Sequence, residues 1–420
     1  MDVVESTVRW DGQFRDRVSI ELPYAKSIQN RILILKHLFT NHVDSILTAD
    51  SDDVRLLQNA LEHPSVQVDF GMAGTSARFF TAYACATGWE GVIDGSGRGR
   101  ERPLAPLLDA LRSLGARIEE LGAPGQFPIR VSKSPLRGGR VSVDSTQSSQ
   151  FATALMMIGP TLRGGLTLDM GPEPASSAYL KLTAEWMHSA GFEVSALDSG
   201  YRIEEAPVPP SVRHSLVPER DWSSVVYFVQ ALVLGCCNAL EFVGLNATGS
   251  QPDQALLALI EPLGVEAGAS GAGWVFRRTR PPHTDRRIRV DASSWPDLAV
   301  GMAHLYQAVG MPVVMEGLGT LDHKESKRLE ALRSRLSRHG RAESSEPDVL
   351  ELEGGAVRLD RLHFDSLGDH RLAMGCAAWA RFGPLSVVGA ESVSKSFPGF
   401  WTEFQRLGFG LTSEHPTVSE

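Results

Sequence analysis

The sequence predicts an α/β protein assembled from repeated αβ units, and two observations carry that expectation. An amphipathic helix, a glycine at its end and a short alternating strand recur around Gly115, Gly191, Gly264, Gly340 and Gly408, at intervals of 76, 73, 76 and 68 residues. The 420 residues leave room for six units of about that period, and at roughly 100–200 residues per domain they form two or three domains. A period this long describes compact αβ subdomains rather than a thin solenoid.

Each element follows from local chemistry. In the copy DALRSLGARIE, Leu107, Leu108, Leu111 and Leu114 recur at three- and four-residue spacing. That spacing makes one apolar helix face, and Gly115 supplies the left-handed C-cap that stops it. LLQNALEHPSVQVD is a weaker, earlier copy whose helix ends near His63. Strands are expected at residues 17–22, 165–170 and 239–243, where apolar and polar residues alternate. The Pro-rich piece at 205–211 reads as a breaker and linker, and the polar tail TSEHPTVSE as a frayed end.

Composition narrows the function classes. Hydrophobic content of 42% with 22% charged residues excludes wholesale disorder. The longest apolar stretch, Val225 to Cys237, is interrupted by Gln230 and falls short of the roughly 20 residues that a membrane span needs. The N-terminus carries charges of both signs and no apolar run, so no secretory signal is expected. Four cysteines form no CxxC pair, which disfavours a disulfide framework or a structural zinc site and suits a reducing cytoplasm. A net charge of −9 disfavours nucleic acid as the partner. A small anion bound in a locally basic cleft stays open. Lysine is scarce, at seven against 34 arginines. A retained lysine can mark a need for a compact ammonium group, although GC-rich codon supply explains the scarcity equally well.

Several cations stand beside predicted helix starts. Lys26 precedes Ser27, read as an N-cap, with Arg31 one turn in; lysine, hydroxyl and free helix N–H groups make an anion seat or an ordinary capped helix. A glycine turn at 71–74 opens another helix, with Arg78 one turn in, and no P-loop occurs anywhere. Arg98, Arg100 and Arg102 before Pro103 interleave the glycines, which disfavours a dinucleotide fingerprint and suits a phosphate- or carboxylate-binding strand end. Ser148, Ser149 and Gln150 form a neutral donor cluster at a helix start. Lys324 and Arg328 are read as one turn apart on a helix with Glu325 between them. Arg371, Lys395 and Asp297 lie at further loop–helix junctions. Together these residues suit two dianions held without a metal, with two carboxylates available for proton transfer.

The motifs LP..KS..NR, AGT..R, ERP, SSQ, PD, KE, DHR and K.FP, in this order from about residue 20 to about 405, resemble the 5-enolpyruvylshikimate-3-phosphate synthase family of enolpyruvyl transferases. The resemblance implies a two-domain inside-out α/β barrel in which each domain has three βαβαββ repeats with buried helices. It implies domains of residues 1–24 plus 220–420 and of residues 25–219, with the active site in the cleft between them. It implies transfer of the enolpyruvyl group of phosphoenolpyruvate to shikimate 3-phosphate, on the way to chorismate and aromatic amino acids, by a cytoplasmic monomer without cofactor or metal. Shikimate 3-phosphate would meet Lys26, Ser27, Arg31, Ser148, Ser149, Gln150, Ser176, Tyr179, Asp297 and Lys324. Phosphoenolpyruvate would meet Lys26, Gly74, Arg102, Gln150, Arg328, Arg371 and Lys395. Asp297 would be the base, Glu325 the acid, and Lys26 a relay.

The chain departs from the family pattern at Tyr24 and Ala25, where a small pair is usual, and at Met72, where asparagine is usual. Thr320 replaces asparagine, Asp322 a basic residue and Lys327 an aspartate. The alternatives are a related transferase acting on a UDP-amino sugar or a shikimate-like compound, and a non-catalytic anion-binding protein of the same fold. The loop before Arg102–Pro103 lacks the cysteine expected of the UDP-amino sugar enzyme.

Overall fold

The computed structural model describes residues 5–40, 51–171, 176–206, 216–247, 249–338, 342–343, 346–355 and 362–414. The chain divides into two compact units, one of Met1–Pro23 with Glu219–Glu420, the other of Tyr24–Pro218. Each has its own apolar core.

One supersecondary pattern builds both units. In the Tyr24–Pro218 unit, Gln67–Asp69 runs parallel to Gly91–Asp94, which pairs antiparallel with Ile129–Ser132, itself antiparallel to Arg117–Glu120. The sheet of Gly139–Ser142, Leu166–Asp169, Gly200–Ile203 and Val194–Leu197 repeats that order and those directions. In the other unit, Ile288–Asp291, Val313–Glu316, Leu350–Leu352 and Ala342–Glu343 repeat it again. Two further sheets use the N-terminal segment. Arg15–Glu21 lies parallel to Cys237–Val243, which is followed by Gly273–Arg278 and Val265–Ser270. Glu5–Trp10 is inserted between Leu385–Val388 and Phe409–Glu414, with Leu362–Asp365 at the far edge. The expected sixth unit is represented by helices Lys26–Phe39 and Asp52–Glu62; residues 41–50 and 207–215 lie outside the described residues.

The helices are inside and the sheets outside. Every residue of Val225–Val233 and of His370–Cys376 is buried, as is all of Gln150–Ile158 except Gln150 itself. Such largely apolar segments are stable only when neighbouring helices and sheets cover them. The strands show the complementary pattern, as in Leu166–Asp169, where Leu166 and Leu168 are buried while Thr167 and Asp169 are partly exposed. Gly115, Gly191, Gly264 and Gly408 stop their helices at positive φ between 75° and 106°, a region where a side chain would be strained. Gly340 lies outside the described residues.

One local expectation is corrected. The tail does not fray from residue 412: Phe409–Glu414 forms an edge strand on Glu5–Trp10, because the ladder of backbone bonds outweighs its polar composition. Residues 415–420 lie outside the described residues. The Pro-rich piece begins docked, with the Ala206 N–H donating to Pro160 O at 2.9 Å and the Gly164 N–H to the Glu205 carboxylate at 2.6 Å; its continuation from residue 207 lies outside the described residues.

Candidate active site

In the unit that holds the chain termini, one guanidinium organises the charged residues. Arg328 is the first residue of helix Arg328–Leu336, and its side chain is only 1% exposed. Its Nη1 donates to Asp297 Oδ1 at 3.0 Å, its Nη2 to Glu325 Oε2 at 2.6 Å, and its Nε to Asp369 Oδ2 at 2.8 Å. Arg371 Nη2 stands 3.1 Å from the other oxygen of Asp297, and Lys324 Nζ is 3.7 Å from Asp297 Oδ1. Arg371 is held from behind by Ser223 Oγ at 3.1 Å, and Lys395 donates to Gly368 O at 2.7 Å. Burial alone would raise the Asp297 pKa, but Arg371, Lys324 and Arg328 more than offset it and hold this carboxyl well below the usual range. Asp369, fully buried, is also held low: burial opposes ionisation and Arg328 overcomes it. Asp297 keeps 23% of its side-chain exposure, so the balanced cluster still opens on solvent at that carboxylate.

In the Tyr24–Pro218 unit, the partners of Arg31 among the described residues are uncharged. Arg31 is buried and donates to Ser27 O at 2.6 Å, Thr183 Oγ1 at 2.9 Å and Tyr179 O at 3.2 Å, all neutral oxygens. Burial pushes its pKa down to about 10, so it stays charged at neutral pH. Ser176 begins the helix Ser177–Ser189 in the left-handed region, at φ 50°. Lys26 donates to Asp53 at 2.6 Å. Gln150 bridges Thr75 Oγ1 at 2.8 Å and Arg78 at 2.6 Å, while the Ser148 hydroxyl accepts the Gln150 N–H at 3.3 Å. A Cβ on Gly74 would lie 2.2 Å from Arg102 Nη1. The glycine therefore leaves room for the guanidinium to lie against the helix start.

The chain matches the model of the family described as EPSP synthase (3-phosphoshikimate 1-carboxyvinyltransferase) over residues 18–404. The chain belongs to the EPSP synthase family. A 3-phosphoshikimate 1-carboxyvinyltransferase of Bacteroides fragilis is 32% identical over 402 residues, covering 94% of this chain and 96% of its own. That of Syntrophobacter fumaroxidans is 30% identical, covering 93% of this chain and 97% of its own. The solved EPSP synthase of Acinetobacter baumannii shares the fold at a TM-score of 0.72 and 18% identity, over 98% of this chain and 100% of that one. An enolpyruvyl transferase of Streptomyces tendae does so at 0.71 and 14%, over 98% and 99%.

Against the family pattern, the structure corrects three local readings. Ser27 is not the N-cap; the extended Ala25 is, because its carbonyl already accepts the Ile28 and Gln29 N–H groups, and Ser27 sits inside helix Lys26–Phe39. Residues Arg98–Glu101 form a short helical turn rather than a strand end, and Arg100 is paired with Asp94 at 2.6 Å instead of pointing free cations at a ligand. Lys324 and Glu325 are not on a helix with Arg328; they lie in the loop between the turn Gly319–His323 and helix Arg328–Leu336.

Sequence reasoning passed over Asp369 and Asp53. Asp369 caps helix His370–Cys376 by accepting the Arg371 N–H at 2.9 Å, and it also receives Arg328 and the Ser326 hydroxyl. An aspartate directly before His370 and Arg371 is a visible N-cap signal. Its second task, holding an arginine from 41 positions away, is not visible locally.

Proposed function

We propose that this protein transfers the enolpyruvyl group of phosphoenolpyruvate to the 5-hydroxyl of shikimate 3-phosphate, with release of phosphate. The observation that carries the reading is the family match over residues 18–404, a span that contains every charged residue assigned above. The geometry supports it. Arg328, Arg371 and Lys395 offer cations for the carboxylate and phosphate of phosphoenolpyruvate, and Lys324, beside Asp297, offers one for shikimate 3-phosphate. Arg31, whose partners among the described residues are neutral, is completed by an anionic substrate that supplies a countercharge; Ser27 and Tyr179 lie beside it, and Ser148, Ser149, Gln150 and Ser176 add neutral donors.

In this reading Asp297 accepts the hydroxyl proton as that oxygen bonds to C2 of phosphoenolpyruvate, and Glu325 protonates the methylene carbon. The product is a tetrahedral adduct with a new methyl group. Elimination removes a proton from that methyl group, re-forms the double bond and expels phosphate, with Lys26 relaying protons. Asp297 begins as a weak base, held ionised by three cations. Substrate anions that engage Arg371 and Arg328 weaken that field and raise its basicity at the moment of use. The four cysteines are free and buried, which supports a cytoplasmic, reducing setting.

The test measures phosphate release from phosphoenolpyruvate with shikimate 3-phosphate, and in parallel with a UDP-amino sugar. Turnover is expected with the first acceptor only. Asp297→Ala is expected to lower kcat by about 10²- to 10⁴-fold while shikimate 3-phosphate still binds. Turnover with the UDP-amino sugar alone would overturn the assignment.

A further inference from the structure

The loop that carries Lys324 and Glu325 ends at Arg328, so its shape decides where all three side chains stand. Its helix begins poorly: Lys327 occupies the N-cap of Arg328–Leu336, and its side chain makes no capping bond. The missing acceptor comes from before the loop. Asp322, in the turn Gly319–His323, accepts the N–H of Leu329 at 2.9 Å and of Glu330 at 3.3 Å with one oxygen. These are the second and third residues of the helix, the donors that an N-cap side chain normally satisfies. On the other side, the Ser326 hydroxyl donates to Asp369 Oδ2 at 2.9 Å.

We propose that Asp322 is a positioning residue for the transfer reaction, a clamp across residues 323–328 that sets Lys324, Glu325 and Arg328 by capping the helix from a distance in place of Lys327. The clamp joins residue 322 to residues 329 and 330, so the intervening loop cannot widen without breaking both bonds. A negative charge against the first turn also favours the helix start electrostatically. Its consequence for turnover rests on the function proposed above; its consequence for the helix start does not.

Two variants test it, Asp322→Ala and the double variant D322A/K327D, which moves the carboxylate to the N-cap itself. In the single variant the amides of Leu329 and Glu330 lose hydrogen-exchange protection, and kcat/KM for phosphoenolpyruvate falls about tenfold, the size set by losing a cap. KM for shikimate 3-phosphate changes by a smaller factor, because Lys324 alone among its expected ligands lies in residues 323–328. The double variant regains both protection and kcat/KM. If the single variant does not fold, a folded and active double variant supports the clamp by itself. Unchanged exchange and kinetics in D322A overturn the proposal, as does a double variant that unfolds or stays impaired. A wild-type protein inactive on shikimate 3-phosphate refutes the function instead, and the exchange readout then still decides the clamp.

Discussion

Asp369 shows how much one side chain does here. Fully buried, it caps a helix through the Arg371 N–H, anchors Ser326 and receives the Arg328 guanidinium. Removing its charge leaves Arg328 with two of its three carboxylates in a water-poor setting, and breaking such a buried pair costs about 3–5 kcal/mol. Asp369→Asn is expected to lose that much stability in urea unfolding at pH 7. The native Asp369 is held below its ordinary value, so the wild-type advantage is full above the unfolded-chain pKa of about 3.9. It declines as pH falls through that value toward the native one, because the unfolded chain takes up the proton first. The gap between wild type and variant therefore narrows on acidification below about pH 5; a gap that widens there would refute the pairing. The sequence displayed Asp297, the Glu325–Arg328 segment and Arg371 as separate motifs. That one guanidinium binds three carboxylates was not readable, since Asp297 and Asp369 lie 31 and 41 positions from Arg328 on different helices.

At the scale of elements, close contact between buried helices places Asp297 and Asp369, whereas a loop carries Lys324 and Glu325. Helix Pro296–Val309 carries Asp297 in its first turn and crosses Val225–Val233 at Gly301, where an added Cβ would meet Val226 Cγ1 at 2.3 Å. Gly375 makes the equivalent approach of helix His370–Cys376, with an added Cβ 2.6 Å from the His304 ring. Overpacking such a contact costs about 1–3 kcal/mol. Gly301→Val is expected to lower stability by that amount and, by shifting the helix that carries Asp297, to lower kcat; calorimetry and turnover check the pair, and wild-type behaviour in both would overturn the packing account. Helix existence was legible from apolar spacing, while helix starts were not. Ser27 looked like a cap and is inside the helix, and Lys324 looked helical and is in the loop. A cap is a three-dimensional hydrogen bond, and here Asp322 supplies one from six residues ahead of the helix.

At the scale of the molecule, the N-terminal segment belongs to the later half of the chain. Glu5–Trp10 is paired on both edges, and Arg15–Glu21 lies parallel to Cys237–Val243, so residues 1–23 supply two strands to the unit containing Glu219–Glu420. Their deletion is expected to unfold that unit while Tyr24–Pro218 keeps its own core. Hydrogen exchange reads this directly, and protection retained across 219–414 in the truncated chain would sink the expectation. The repeat was visible in advance, because each βαβαββ unit writes its helix, glycine stop and alternating strand locally at nearly constant spacing. Hence the α/β class, the strand segments and the motif order came from sequence, the last through resemblance. Only the tertiary structure decided which carboxylate faces which cation, which strands the N-terminus completes and which residue caps the helix of Arg328. Local propensity is set by neighbours a few residues apart, whereas ion pairing, burial and strand insertion depend on distances that exist only after the chain has folded.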